Sequence, residues 1–153
     1  MIDRNKLKVF EEYFLKMMDN RKNKLHPFVW IHGNPSIGEN VYVGGFSEIN
    51  ANGAKVIISN NCDIASFVAI NVADTHKKCI GIKAESECKD ITVERNVFIG
   101  SHSVIKGGAH IGHHSVVAAG AIVDAGYFPP YSLIYGNPMK IKKGYYSSRR
   151  KSV

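Results

Sequence analysis

The chain has 153 residues, room for one domain with a sizeable core plus one appended element rather than two independent domains. Hydrophobic residues make up 44%, yet no apolar run approaches the roughly 20 residues of a membrane span, and MIDRNKLKVFEEYF places charges where a secretion signal needs an apolar segment. A cytoplasmic protein is expected, and its net charge of +7 gathers largely at the two ends, in RNKLK, RKNKLH, KIKKGYY and SSRRKSV, as solvated basic termini do.

In chain order, Leu7, Phe10, Phe14 and Met17 recur at steps of three and four behind a cap at Asp3. This predicts an amphipathic helix ending near Asn20, within a helical arm of residues 1–26. Its apolar stripe is expected to pack on the main body or on a neighbouring subunit.

From Ile31 the period changes to six. Ile31, Ile37, Val43 and Ile49 keep the step, three extra residues intervene, and Ile58, Ile64 and Ile70 resume it. After a longer gap the series returns as Val93, Ile99, Ile105, Ile111, Val117 and Val123. Neither a helix, with period 3.6, nor an ordinary strand, with period 2, needs this spacing. A short strand plus a corner does, and three such units close a triangular coil of eighteen residues. The small or aliphatic Val97, Ser103, Ala109, Ser115 and Ala121 precede anchors by two, and Gly100 and Gly112 follow them directly, as tight corners require. The main body is therefore expected to be all-β: a parallel β-helix in which each rung buries its aliphatic residue against the next.

Between Ile70 and Val93 the repeat breaks off for NVADTHKKCIGIKAESECKDIT. Insertions in repeat proteins become loops on one face and commonly carry function, so the inserted loop 71–90, with Asp74 and His76 near its start, is the first place to look for chemistry. Cys62, Cys79 and Cys88 are scattered without a C-x-x-C pair and are expected to be free thiols. HIGHH with His102 has the look of a metal cluster, yet His110, His113 and His114 fall at corner and turn phases of consecutive rungs.

The repeats VFIGSHSVIKGGAHIGHHSVVAAGAIV, the ADTH loop and the tail IYGNPMKIKKG after FPP resemble the hexapeptide-repeat acyltransferases, and among them the sugar and polysaccharide acetyltransferases, over residues 31–143. The resemblance implies a left-handed parallel β-helix, a triangular prism of hexapeptide repeats, over 27–143, followed by a basic tail, 144–153. It also implies transfer of an acetyl group from acetyl-CoA to a hydroxyl or amino group of a sugar, by a homotrimer whose clefts lie between adjacent prisms. His76 matches the loop histidine that acts as general base. Ser101 matches a serine near the thioester carbonyl, and Ala118 and Ala119 positions whose backbone contacts the pantetheine arm. Gly136, Asn137 and Pro138 form the terminal motif, and Lys140 and Lys143 match basic residues that approach the CoA phosphates. Asp124 departs from the neutral donor that relatives often carry there.

The chemistry agrees with those residue types. A thioester is already activated, so the protein has to deprotonate the acceptor and stabilise the tetrahedral oxyanion. A histidine suits the first task, with Asp74, Glu85 or Glu87 as the carboxylate that fixes its tautomer. The acceptor is expected in surface polysaccharide synthesis, O-antigen or capsule; whether it is a hydroxyl or an amine, and nucleotide-linked, lipid-linked or free, stays open.

Two other readings share the prism. Zinc-dependent carbonic anhydrases have this fold with two ligand histidines five residues apart, but here Gly107, Ser115, Ala118 and Ala119 stand five after the four histidines, so no metal is expected. A non-catalytic scaffold using its basic ends for nucleic acid would interleave aromatics with the basic runs, and Phe98, Tyr127, Phe128, Tyr131 and Tyr135 do not, so no nucleic-acid partner is expected.

Overall fold

The computed structural model describes residues 3–19, 25 and 28–148; the expected helix end at Asn20 and the last five residues of the basic tail lie outside them. A helix runs Arg4–Asp19, opened by Asp3, whose carboxylate accepts from the Asn5 amide at 2.9 Å. Phe14 meets Phe28 of the body at 5.8 Å between ring centroids, while Leu7 and Phe10 remain exposed on the single chain. No helix among the described residues is long and apolar enough to cross a membrane.

The rest coils into a left-handed parallel β-helix with three sheets as its faces. The first face stacks Trp30–His32, Glu48–Asn50, Ala69–Asn71, Val104–Lys106 and Ile122–Val123. The second stacks Ser36–Ile37, Val56–Ile58, Ile91–Val93, Ala109–Ile111 and Gly126–Phe128. The third stacks Tyr42–Val43, Asp63–Ile64, Phe98–Ile99, Val116–Val117 and Leu133–Tyr135, and Lys140–Lys142 turns back antiparallel to cover its last edge.

Register puts like on like. Ile31 pairs Ile49, Ile49 pairs Ile70, Ile70 pairs Ile105, and Ile105 pairs Val123. From Val43 to Val123 the anchors are at most 1% exposed; each fully buried aliphatic side chain contributes about 1.5–3 kcal/mol. Ile31 and Ile37, in the first coil, are only partly covered.

The series runs further than the sequence spacing indicates. Phe128 pairs with Ile111 and Ile134 with Val117, so both are anchors, but the step from Val123 to Phe128 is five residues and breaks the period.

The corners also differ from expectation. Gly100 and Gly112 do not have positive φ; they are glycine because a Cβ would stand 2.5 Å from the Ala119 amide nitrogen and 2.6 Å from the Pro130 nitrogen of the next coil. The left-handed conformation falls elsewhere, on Asn40, Phe46, Asn61, Phe67, Asn96, His102, His114 and Tyr131, with φ of 56° to 62°, and on Gly108 and Gly120 at the same phase. Each lies three residues after an anchor.

These side chains stack up the corners. Phe46 lies on Phe67 at 5.2 Å and Phe67 on His102 at 4.9 Å, while the Asn40 amide donates to Asn61 Oδ1 at 3.1 Å. Inside the corners, Ser103 donates to the Ala118 carbonyl and Ser47 to the Ala65 carbonyl, each at 3.0 Å, so the buried hydroxyls are satisfied.

Candidate active site

The inserted segment is a hairpin: Ala73–Asp74 pairs antiparallel with Glu87–Cys88, and one helical turn, His76–Cys79, follows directly. Its base is seated on the prism. The Lys89 amide donates to the Val72 carbonyl at 3.1 Å, and Gly53, at φ +90°, comes so close that a Cβ there would stand 2.8 Å from Cys88 Sγ. The three extra residues after Ile49 thus build a turn that braces the hairpin.

Asp74 and Glu87 face one another across the two strands and take different tasks. Asp74 Oδ1 accepts from the His76 amide at 3.2 Å, an Asx-turn, and also meets His76 Nδ1 in a short contact. The hydrogen bond from the ring, with the amide bond behind it, holds the Asp74 carboxyl below the usual carboxylate range. Glu87 gathers Lys83 and Lys77, which lower its pKa from 4.5 to about 2 and tie the hairpin together. Of the three carboxylates open on sequence, Asp74 is the one bonded to the ring.

This arrangement orients the imidazole. With Nδ1–H donated to Asp74, the neutral ring carries its free lone pair on Nε2, and the side chain is 60% exposed at the mouth of the hairpin. A groove of about 660 Å³ opens beside the pair, lined among others by Asn71, Asp74, Lys89, Lys106 and Asp124. Asp124 receives the Lys106 ammonium at 2.7 Å, which gives the residue that departs from the relatives' pattern a partner.

The other predicted site residues cluster elsewhere. Ser101 and Ala119 are stacked at the corner between the third and first faces, where the Gly120 amide donates to the Ser101 carbonyl at 2.9 Å. Ala118, beneath, accepts from Ser103. Gly136, at φ +83°, continues this column, and its carbonyl accepts from the Ile122 amide.

Asn137 and Pro138 make the reversal into Lys140–Lys142, with a cis bond between them. Lys140 and Lys143 are exposed beyond it. The hairpin rises from the opposite corner of the first face, so Val104–Lys106 and Ile122–Val123 separate a chain's own His76 from its own Ser101. One protomer does not bring its dyad and its Ser101 into a common groove.

One sequence reading needs correction here. His110 is not at a corner but on the strand Ala109–Ile111, where its Nε2 meets Glu94 Oε1 at 2.8 Å. Just before the basic tail, Lys142 Nζ lies 5.7 Å from the Tyr135 ring centre and 5.5 Å from that of Tyr145. Among the described residues, no three His, Cys, Asp or Glu side chains are grouped to hold a metal ion. The three cysteines are free thiols.

A prism of six-residue rungs carrying one extruded hairpin defines a hexapeptide-repeat β-helix protein, and comparison with known proteins agrees. The model of the hexapeptide repeat of succinyl-transferase matches residues 90–125, and the chain has the hexapeptide-repeat β-helix fold that acetyltransferases of known structure also have.

Among solved structures it is similar to a galactoside acetyltransferase in complex with coenzyme A, with 30% identity over 82% of this chain, 64% of that one, and TM-score 0.68. It is also similar to a polySia-specific acetyltransferase, with 27% identity over 79% of this chain, 62% of that one, and TM-score 0.62. A third, a hexapeptide-repeat acetyltransferase from Vibrio cholerae complexed with acetyl-CoA, has 25% identity over 88% of this chain, 76% of that one, and TM-score 0.55. The chain thus spans less than two thirds of the length of the first two. No curated protein matches it by sequence.

Proposed function

We propose that this chain transfers an acetyl group from acetyl-CoA to a sugar, with His76 as general base. The observation that supports the reading is the Asp74–His76 pair on the extruded hairpin, in which the carboxylate meets Nδ1 and leaves Nε2 open to an acceptor. The acceptor hydroxyl or amine attacks the thioester carbonyl as Nε2 takes its proton. The tetrahedral intermediate then expels CoA as a thiolate, and the imidazolium returns the proton to that sulfur. Asp74 stays ionised and stabilises the imidazolium.

Donor binding is assigned to the second cluster. Ser101 faces the thioester carbonyl, the backbone at Ala118 and Ala119 takes the pantetheine arm, and the Gly136–Pro138 turn with Lys140 and Lys143 takes the phosphates. Since one protomer keeps these groups and its dyad at opposite corners of a face, the complete site pairs the hairpin of one copy with the Ser101 corner of the next. A homotrimer closes such pairings in a ring. Galactoside and polySia in the names of two similar proteins support a sugar acceptor, which we assign to surface polysaccharide synthesis in the cytoplasm. The arm 1–26, the prism 27–143 with loop 71–90, and the tail 144–153 are the units of this proposal.

The test is CoA release from acetyl-CoA against a panel of simple glycosides and nucleotide-linked amino sugars, with His76→Ala alongside. Wild-type release on at least one sugar, falling by about 10²–10⁴-fold in the variant while acetyl-CoA still binds, is the expected result. Unaltered turnover in His76→Ala removes the base assignment. A monomer in light scattering at micromolar concentration removes the shared cleft.

A further inference from the structure

The groove beside the dyad holds a charge arrangement that the proposed reaction has not yet used. Lys106, on the first face, and Asp124, one coil further on, are paired at 2.7 Å, and both line the groove into which Asp74 also turns. The Lys106 ammonium is bonded to Asp124 and shares the groove with the Asp74 carboxylate. Asp124 raises the lysine's pKa, and Asp74 adds to the effect from further off.

The other charges around the dyad are committed or peripheral. Lys77 and Lys83 are bonded to Glu87, Lys78 belongs to the helical turn, and Lys89 lines the groove from the base of the hairpin. Lys106 is thus the cation that faces Asp74 from the prism, and Asp124 decides how much of its charge reaches the dyad.

We propose that Lys106, held by Asp124, is a positioning residue for the Asp74–His76 pair, and that it sets the pH at which the imidazole takes its second proton. The proposal rests on the reading of His76 as the base. A cation beside Asp74 opposes formation of the imidazolium, so removing Lys106 leaves two carboxylates near the ring and favours the charged form. Removing the Asp124 charge releases Lys106 toward Asp74 and disfavours it. The two partners of one ion pair should therefore act on His76 in opposite directions, which loss of a merely structural contact does not do.

The measurement is an NMR titration of the full chain with labelled histidine, the His76 signal being assigned as the one missing in His76→Ala. Lys106→Met is expected to raise the His76 midpoint and Asp124→Asn to lower it, each by about 0.2–0.5 pH unit at low ionic strength, with the shifts fading at 1 M salt. Lys106→Arg, which keeps the charge, should restore the midpoint, and the double variant Lys106→Met with Asp124→Asn should fall between the singles. Lys106→Gln repeats the first arm should the methionine disturb folding. Shifts of the same sign, or none, overturn the proposal. If the NMR midpoints move in opposite directions while the pH profile of kcat/KM does not follow, the coupling stands and the base reading falls.

Discussion

Gly107 passes directly beneath Val72: a Cβ on Gly107 would stand 2.5 Å from the Val72 carbonyl oxygen and 3.2 Å from that of Lys89. These are the two backbone positions where the hairpin leaves and rejoins the prism, so the loop is seated on a place only glycine can occupy. Gly107→Ala should cost about 1–3 kcal/mol by overpacking and lift the hairpin base. Urea denaturation together with limited proteolysis across 76–83 checks this. An unchanged midpoint and unchanged cleavage would show that the loop does not rest on Gly107.

Glu87 is held down to about 2 by Lys83 and then Lys77. A group whose folded pKa is depressed contributes its stabilisation in full above its ordinary value, 4.5, and loses it as pH falls toward the folded value. Protection of the backbone amides in residues 76–87, taken relative to the intrinsic exchange rate, should therefore be constant above about pH 5 and fall from about pH 4 to 2. Glu87→Gln should show the faster exchange already at pH 6. Equal protection in the two proteins at pH 6 would show that the carboxylate does not tie the hairpin.

Ile105 sits at 0% exposure between Ile70 and Val123, in contact with a rung on either side. In a solenoid, stability is a sum over neighbouring rungs, so a central anchor counts in two of them. Ile105→Ala should cost about 2–5 kcal/mol. Ile31→Ala, in the half-covered first coil, should cost clearly less. Equal losses at the two positions in chemical denaturation would contradict the stacking order.

Lys140 and Lys143 are exposed past the Gly136–Pro138 turn, whereas Lys142 is occupied by Tyr135 and Tyr145. Replacing Lys140 and Lys143 with Glu should raise the KM for acetyl-CoA by about 10–100-fold and leave that for the acceptor nearly unchanged. The same rise for both substrates would place these lysines away from the donor phosphates.

The period of six made the prism readable because an anchor buried on every face leaves an invariant mark, and the break in that period marked the hairpin. Phe128 and Ile134 escaped because the corner after Val123 is one residue shorter. The structure absorbs this in the backbone, while a fixed count cannot. The left-handed corners were legible in principle: Asn, His or an aromatic recurs three residues after many anchors, but glycine was the expected mark of positive φ. Asn tolerates that conformation through local hydrogen bonding, and Phe46 and Phe67 hold it while stacked. Asp74 could have been separated from Glu85 and Glu87 on spacing alone, since an aspartate two residues before its partner closes an Asx-turn. What spacing could not reveal was that Ser101 and His76 lie at opposite corners of a face, because the hairpin gives no sign in sequence of the corner from which it rises.

The columns of left-handed residues have a consequence for how such a chain can grow. A duplicated stretch of eighteen residues copies its own corner side chains along with its anchors, so each new coil brings the ring or amide that stacks on the coil below. Lengthening by whole coils is therefore conformationally neutral, whereas loss of a single residue shifts every later corner out of column unless one bend absorbs it. The bend between Val123 and Phe128 has done so: beyond it Tyr131 again takes a φ of 62° and stacks on His114 at 5.1 Å. The prism thus takes irregular counts at its corners, one residue lost after Val123, three gained after Ile49 and a hairpin gained after Ile70, and elsewhere keeps the step of six.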